Sequence, residues 1–96
     1  MVGNRPLSQL THNQIYNAFK KVGIKLRNHA ISRLKDIRTA KLGFKTPNDI
    51  MRIFNQKGTF DAGKGDFGKS CNGLEAIINP KTGVIITIRP AAKSKN

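Results

Sequence analysis

The chain has 96 residues, 38% of them hydrophobic, and its 18 Lys and Arg against five Asp and Glu give a formal net charge of +13. This length suits one domain with a modest core, and it excludes large enzymes such as protein kinases. The charge favours a polyanionic partner, with nucleic acid ahead of an anionic membrane surface or an acidic protein. We therefore expect a single basic domain over residues 1–96, with loose ends at about 1–10 and 91–96.

The cysteine count and the hydropathy pattern limit the environment of the chain. Cys71 is the single cysteine, so an intrachain disulfide is impossible, and we expect its side chain to fill a strand rather than to act as a nucleophile. No apolar stretch approaches the length of a membrane span, and the first ten residues lack the apolar core of an export signal. The sequence therefore predicts neither a membrane span nor a signal peptide.

Three helices are predicted before residue 58, each with a capping residue and an apolar stripe at helical spacing. The predicted caps are Thr11, Asn28 and Thr46. The third start is the strongest, because Pro47 occupies the first helical position and Asp49 lies three residues after the cap. The stripes comprise, in chain order, Ile15, Phe19 and Val22; Ala30, Ile31, Leu34 and Ile37; and Ile50, Ile53 and Phe54.

The pattern after Gly58 changes to the period of two that is typical of strands. Short strands are predicted at 59–64 and 66–71, and a hairpin with a Pro/Gly turn joins the apolar runs at 74–79 and 84–90. The expected fold is α+β, with N-terminal helices packed on a four-stranded antiparallel sheet. In the last strand, alternation predicts two faces: Val84, Ile86 and Ile88 on one, and Ile85, Thr87 and Arg89 on the other.

The second predicted helix carries the more interesting of the two histidines. His29 follows the expected cap, Arg33 lies four residues later on the same face, and Lys35 and Arg38 flank them. A His–Arg pair of this kind also occurs as ordinary solvated surface. The other histidine, His12, lies where the first helix begins, and we expect it to be a surface or capping residue.

These residue types suit cleavage of RNA by attack of its own 2′-hydroxyl on the phosphodiester. The reaction needs a proton acceptor and donor, which His29 supplies near neutral pH. Arg33 would clamp the phosphate oxygens, and Thr87 would donate a hydrogen bond as charge develops, with Arg89 on the same strand face. The scattered acids and the absence of ligand-like spacing predict no dedicated metal site, and we expect no cofactor.

The segment GKGDFGKS, residues 63–70, fits the phosphate-loop pattern of nucleotide-hydrolysing enzymes. A working phosphate loop needs a helix starting at its Lys-Ser end, whereas here Asn-Gly and a predicted strand follow. We therefore predict that it is not a nucleotide site. Lys64, Lys69 and Ser70 remain candidates for holding RNA phosphates, and the alternative is a basic loop without specific contacts.

A family resemblance rests on NHAISRLKDIR (28–38) and VIITIRP (84–90). These segments resemble the His-Ala-x-x-Arg helix and the closing strand of small bacterial toxin ribonucleases. That group includes barnase, the tRNase colicins, RelE-type toxins and many C-terminal domains of contact-dependent growth inhibition proteins. The resemblance spans about residues 27–90 and implies a helix pair against a four-stranded antiparallel sheet. It implies catalytic roles for His29, Arg33 and Thr87, and makes Arg38 a second helix arginine.

The resemblance also implies a biological setting. A member of this group would cut RNA, with tRNA the expected substrate, in the cytoplasm of a neighbouring bacterium after export as the last part of a larger protein. An acidic cognate immunity protein would neutralise it, and a host factor such as an elongation factor is left open. The competing interpretation is a non-enzymatic basic module that binds RNA or DNA, which explains the charge equally well.

Overall fold

The computed structural model describes residues 3–91, and in this range four α-helices accompany a five-stranded sheet. After a 3-10 turn at Leu7–Gln9, the helices are α1 (His12–Lys20), α2 (Asn28–Leu34), α3 (Ile37–Lys41) and α4 (Pro47–Phe54). The strands are β1 (Lys25–Leu26), β2 (Phe60–Gly63), β3 (Asp66–Cys71), β4 (Leu74–Ile78) and β5 (Val84–Pro90).

The strand order is β1-β5-β4-β3-β2. Strands β2 to β5 form an antiparallel meander, and β1 pairs in parallel with β5, placing Lys25 beside Val84. Asn72 and Gly73 join β3 to β4 with φ angles of 48° and 87°, as the tightest hairpin turns require. The predicted α+β fold, with N-terminal helices and four antiparallel strands, is confirmed, and β1 is an addition that the sequence pattern did not predict.

The core lies between the helices and one face of the sheet. Its fully buried side chains include Phe19 from α1, Ile31 from α2 and Ile53 from α4, packed with Leu74 and Ile88 from the sheet. We call the opposite side of the sheet the open face; by register it carries Phe60, Gly68, Ser70, Glu75, Ile77, Thr87 and Arg89.

The segment before α1 is packed more closely than the expected loose lead-in. Leu7 and Leu10 are buried in the core, and the N–H of Leu7 donates to the carbonyl of Lys45 at 2.8 Å. The described part of the lead-in therefore belongs to the folded domain from Leu7 onward. The other expected loose end, 91–96, lies outside the described residues except for Ala91.

Two apolar residues that the helical patterns assigned to the core are exposed instead. Val22 lies beyond the end of α1 with 47% of its surface exposed. Ile37 is 68% exposed because the chain leaves α2 after Leu34, and the Asp36 carboxylate accepts the N–H of Arg38 to start α3. The new helix resets the 3.6-residue period, so Ile37 leaves the stripe that the sequence predicted.

The last strand departs from simple alternation at a β-bulge. Ile77 pairs with Thr87, but the next residue of β4, Ile78, pairs with Ile85, so β5 has one extra residue here. As a result Ile85 and Ile88 are both buried in the core. The predicted grouping of Ile85 with Thr87 and Arg89 is therefore wrong.

Two of the three predicted helix caps are confirmed. Thr11 and Thr46 each form a capping box, in which the hydroxyl accepts an N–H three residues later and that residue's side chain accepts the N–H of the cap. Asn28 is instead the first residue of α2, and Arg27 at the cap position makes no side-chain capping bond. The start of α2 therefore has no side-chain cap, and the Arg27 N–H before it donates to the Ile85 carbonyl on β5.

Replacing Thr46 with alanine is expected to lower the free energy of unfolding by about 1 kcal/mol, because the Asp49 N–H loses its partner. The Asp49 carboxylate would still accept the N–H of Lys45. Urea unfolding monitored by circular dichroism measures the change. Thr46→Ser retains the capping oxygen and should stay within about 0.5 kcal/mol of the parent; an equal loss in both variants would contradict this capping role.

Candidate nucleic-acid interface

Helix α2 carries the predicted catalytic pair along the last strand. β1 leads directly into α2, and the N–H of Arg27 donates to the carbonyl of Ile85 on β5 at 3.1 Å. α2 then packs against β5 through three buried residues, Ala30, Ile31 and Leu34. His29 is exposed and Arg33 is half-buried, and within residues 3–91 the His29 ring forms no hydrogen bond or ion pair. Both ring nitrogens of His29 are therefore accessible to a substrate.

The predicted residues of the last strand lie on the open face. Thr87 is half-buried beside its partner Ile77 on β4. Arg89 pairs with Glu75, and its Nε donates to the Glu75 carboxylate at 2.7 Å. The side chain of Arg89 is 49% exposed, so its remaining N–H groups can still meet a phosphate.

The structure places His29 and Thr87 on neighbouring elements but on different sides of β5. α2 contacts the core side of the strand, where Ile85 and Ile88 lie, whereas Thr87 belongs to the open face. Across the described residues, no hydrogen bond or ion pair links His29, Arg33 and Thr87. A phosphodiester touching all three would have to lie at the edge of β5 beyond Ile85, the last residue of β5 that pairs with β1.

The two basic residues after Arg33 lie beyond the last residue of α2, and Arg38 belongs to α3. Lys35 is the C-terminal capping residue of α2. The Arg38 guanidinium binds the Asp36 carboxylate, with Nη2 to Oδ2 at 3.1 Å and Nε to Oδ1 at 3.3 Å. This hydrogen bond holds the pKa of Asp36 at about 2, below the ordinary 3.8. In the structure, therefore, the guanidinium of Arg38 is bound to Asp36, the residue that caps α3.

Because the pKa of Asp36 is lowered in the folded state, its contribution to stability is complete above pH 3.8 and is lost as the pH falls towards about 2. Asp36→Asn keeps a good capping side chain and removes the charge. At low salt, we expect the melting temperature of the parent to fall more steeply than that of the variant between pH 4 and pH 2. Thermal unfolding across this range measures it, and parallel curves would contradict the assigned pKa.

The segment that fits the phosphate-loop pattern forms a hairpin. Gly63, Lys64 and Gly65 have φ angles of 88°, 57° and 85° and make its turn, and the rest of the pattern lies in β3. A two-residue turn and β4 follow Cys71, so the structure lacks the helix that a phosphate loop requires, in agreement with the prediction. Cys71 itself packs against the core from β3, as the sequence predicted.

The three phosphate-binding candidates of this segment lie in different places. Lys64 is exposed at the hairpin turn, and Ser70 is exposed on the open face in the same cross-strand row as Glu75. Lys69 is on the core side of β3, and its Nζ donates to the carbonyl of Phe54 at the end of α4, at 3.1 Å. Successive residues of a strand face opposite sides of the sheet, so Lys69 and Ser70 cannot serve one ligand on the open face.

Sequence reasoning missed an aromatic residue on the open face. Phe60 on β2 pairs with Gly68 on β3, and a Cβ built on Gly68 would overlap the Phe60 ring. The ring therefore lies over Gly68 in space that any other residue would fill. The signal in the sequence was the glycine inside a strand pattern, which often marks a close approach.

The charge of the described residues is largely unpaired. Over residues 3–91 only Arg38 and Arg89 form ion pairs with carboxylates. The remaining Lys and Arg side chains in this range raise the positive potential around the sheet and helices, which favours binding of a polyanion. In the same range no three His, Cys, Asp or Glu side chains cluster as metal ligands would, and no helix has the length and apolar character to cross a membrane.

A scan of protein-family models and searches of curated proteins and of solved structures found no match for this chain. The resemblance to toxin ribonucleases therefore remains a prediction from the sequence. The assignment of function rests on the residues and on their placement in the fold.

Proposed function

We propose that this protein is a metal-independent toxin ribonuclease, with tRNA as the expected substrate. The observation that carries the proposal is that α2, with an exposed His29 and a neighbouring Arg33, packs along β5, the strand that carries Thr87 and Arg89. The largely unpaired positive charge would concentrate RNA at this edge of the sheet.

The reaction would be a transesterification within the RNA strand. The 2′-oxygen attacks phosphorus and loses its proton, while the bond from phosphorus to the 5′-oxygen breaks and that oxygen gains a proton. His29 moves protons in these transfers, since imidazole can act as base or acid near neutral pH. Arg33 binds the non-bridging oxygens, and the Thr87 hydroxyl donates to one of them as negative charge increases.

The proposal extends to the partners and the place of action. The chain would be delivered as part of a larger exported protein into the cytoplasm of a neighbouring bacterium. An acidic cognate immunity protein would neutralise it by covering the basic surface, where burying opposed charges gives specificity and fast association. A host factor such as an elongation factor would act, if required, by presenting the tRNA.

The direct test is incubation of the purified protein with total cellular RNA in the presence of EDTA. Discrete tRNA fragments that end in a 2′,3′-cyclic phosphate are the expected result, because the 2′-oxygen forms the new ester. Intact RNA, with and without added cell extract to supply a host factor, would contradict the ribonuclease proposal.

A second candidate is a nucleic-acid-binding module without catalytic activity. The separation of His29 from Thr87 across β5, with no bond between them in the described range, favours it. Such a module would give a mobility shift that weakens steeply with salt and leaves the RNA intact.

A further inference from the structure

A row of four residues crosses the open face of the sheet. Phe60 pairs with Gly68, Gly68 with Ile77, and Ile77 with Thr87. Directly opposed residues on neighbouring strands place their side chains about 5 Å apart on the same face. The row therefore passes from an aromatic ring, across a position without a side chain, to an aliphatic side chain and then to a hydroxyl.

The glycine in this row determines where the ring lies. Because the Phe60 ring occupies the space above Gly68, it covers this backbone, and Gly68 is buried. Ile77 is only 6% exposed, although it lies on the open face and outside the main core cluster. Phe60 remains half-buried. The half-buried state of Phe60 indicates that one side of its ring lies against the sheet and the other towards solvent.

The neighbouring row supplies charge. Ser70 pairs with Glu75, and Glu75 with Arg89, so a half-exposed guanidinium lies two residues along β5 from Thr87, on the same face. An aromatic ring supported on buried apolar residues at one end of these rows, and a hydroxyl and a guanidinium at the other, suit the two chemical parts of a nucleotide. Base stacking on an aromatic ring tolerates any base, since every base has a π-face.

We infer that the Phe60 ring, supported by Gly68 and Ile77 beneath and beside it, is a stacking subsite for one unpaired nucleobase of a single strand, whose sugar–phosphate lies towards Thr87 and Arg89. The inference rests on the proposed function in that both require RNA on the protein surface. It adds that the open face binds a base, and not only phosphates.

The test uses two 2′-O-methyl octanucleotides, which lack the 2′-hydroxyl and cannot be cleaved by transesterification. One carries uracil throughout, and the other is abasic throughout, so the two strands carry the same number of phosphates and the same charge. At a fixed salt concentration we expect the parent protein to bind the uracil strand about 10-fold or more tightly than the abasic strand. Fluorescence anisotropy with end-labelled strands measures both dissociation constants.

The informative variant is Phe60→Leu, which keeps an apolar cover over Gly68 and removes the ring. It should bind the uracil strand about 10-fold more weakly and the abasic strand unchanged, whereas the control Tyr16→Leu on α1 should retain the preference. Two outcomes would overturn the base subsite: equal affinity of the parent for the two strands, or an equal loss of affinity for both strands in Phe60→Leu. Either outcome would still be consistent with binding of RNA through its phosphates. Binding of neither strand would overturn the proposed function as well.

A second variant protects the test against misfolding of Phe60→Leu. The chain contains no Trp, so Phe60→Trp introduces a single fluorescent reporter at the subsite and retains an aromatic surface. We expect the uracil strand to quench its emission and the abasic strand to leave it unchanged. The same emission change with both strands would contradict stacking of a base at this position.

Discussion

Replacing His29 with alanine is expected to abolish RNA cleavage while leaving the fold and RNA binding intact. The ring is exposed and makes no bond within the described part of the chain, so its removal leaves no buried group without a partner. Loss of a general acid–base group lowers the rate of the chemical step by about 100- to 10,000-fold. Single-turnover cleavage of end-labelled tRNA, together with the thermal unfolding curve, measures both parts of the expectation.

The matched control for this variant is His12→Ala. His12 is the only other histidine of the chain and is also exposed, at the first position of α1. Its replacement should leave the cleavage rate within a factor of about two, because it lies on α1 and outside the proposed site. Full activity of His29→Ala would remove the catalytic assignment, and equal losses in the two variants would indicate a general effect of charge.

Replacing Phe19 with alanine is expected to have the largest effect on stability, a loss of about 3–5 kcal/mol. Phe19 is fully buried, and its ring meets that of Phe54 edge to face, with centroids 6.2 Å apart. The change would remove the packing between α1 and α4 and leave a cavity in the core. Domains of this size have total stabilities of about 5–15 kcal/mol, so the variant should be partly unfolded near 37 °C.

Val22→Ala provides the comparison for this prediction. The helical pattern assigned Val22 to the same stripe as Phe19, but in the structure it is 47% exposed, and its truncation should change stability by less than about 0.5 kcal/mol. Urea unfolding of the two variants measures the difference. Similar losses in both would mean that Val22 belongs to the core and that α1 extends further than the structure shows.

Local sequence signals were sufficient for much of the fold. The capping boxes of Thr11 and Thr46 depend on contacts within four residues, and the structure has both. The Asn72–Gly73 turn and the change in period after Gly58 are likewise local, so the hairpins were predictable. The class of fold follows from these elements and their order along the chain.

Features that depend on distant residues were not predictable in this way. Ile37 is exposed because Asp36 caps a new helix. The spacing of apolar residues, from which the stripe was predicted, does not show that a carboxylate starts a new helix at this point. The bulge in β5 depends on pairing with Ile77 and Ile78, which alternation within one strand cannot show. β1 has only two residues, and it is a strand because these residues pair with Val84 and Ile85 of β5, which are distant in the sequence.

The candidate site shows the same division. His29 and Arg33 were identified from their spacing, and α2, the helix that carries them, packs against β5. Lys69 was grouped with Ser70 because both lie in one basic segment, yet the lysine turns inward to the end of α4. Phe60 was missed because its position over Gly68 depends on register between two strands, which neither residue reveals alone.

The place of β5 in the sheet also determines when the protein can fold during its synthesis. β5 lies between β1 and β4 and beneath α2, so β1 and α2 lack their partner strand until Val84–Pro90 leave the ribosome. The amphipathic helices made before that point can form only transiently, because their stability comes from packing. The domain therefore cannot complete its fold until β5 has emerged, because β1 and α2 have no partner strand before that point.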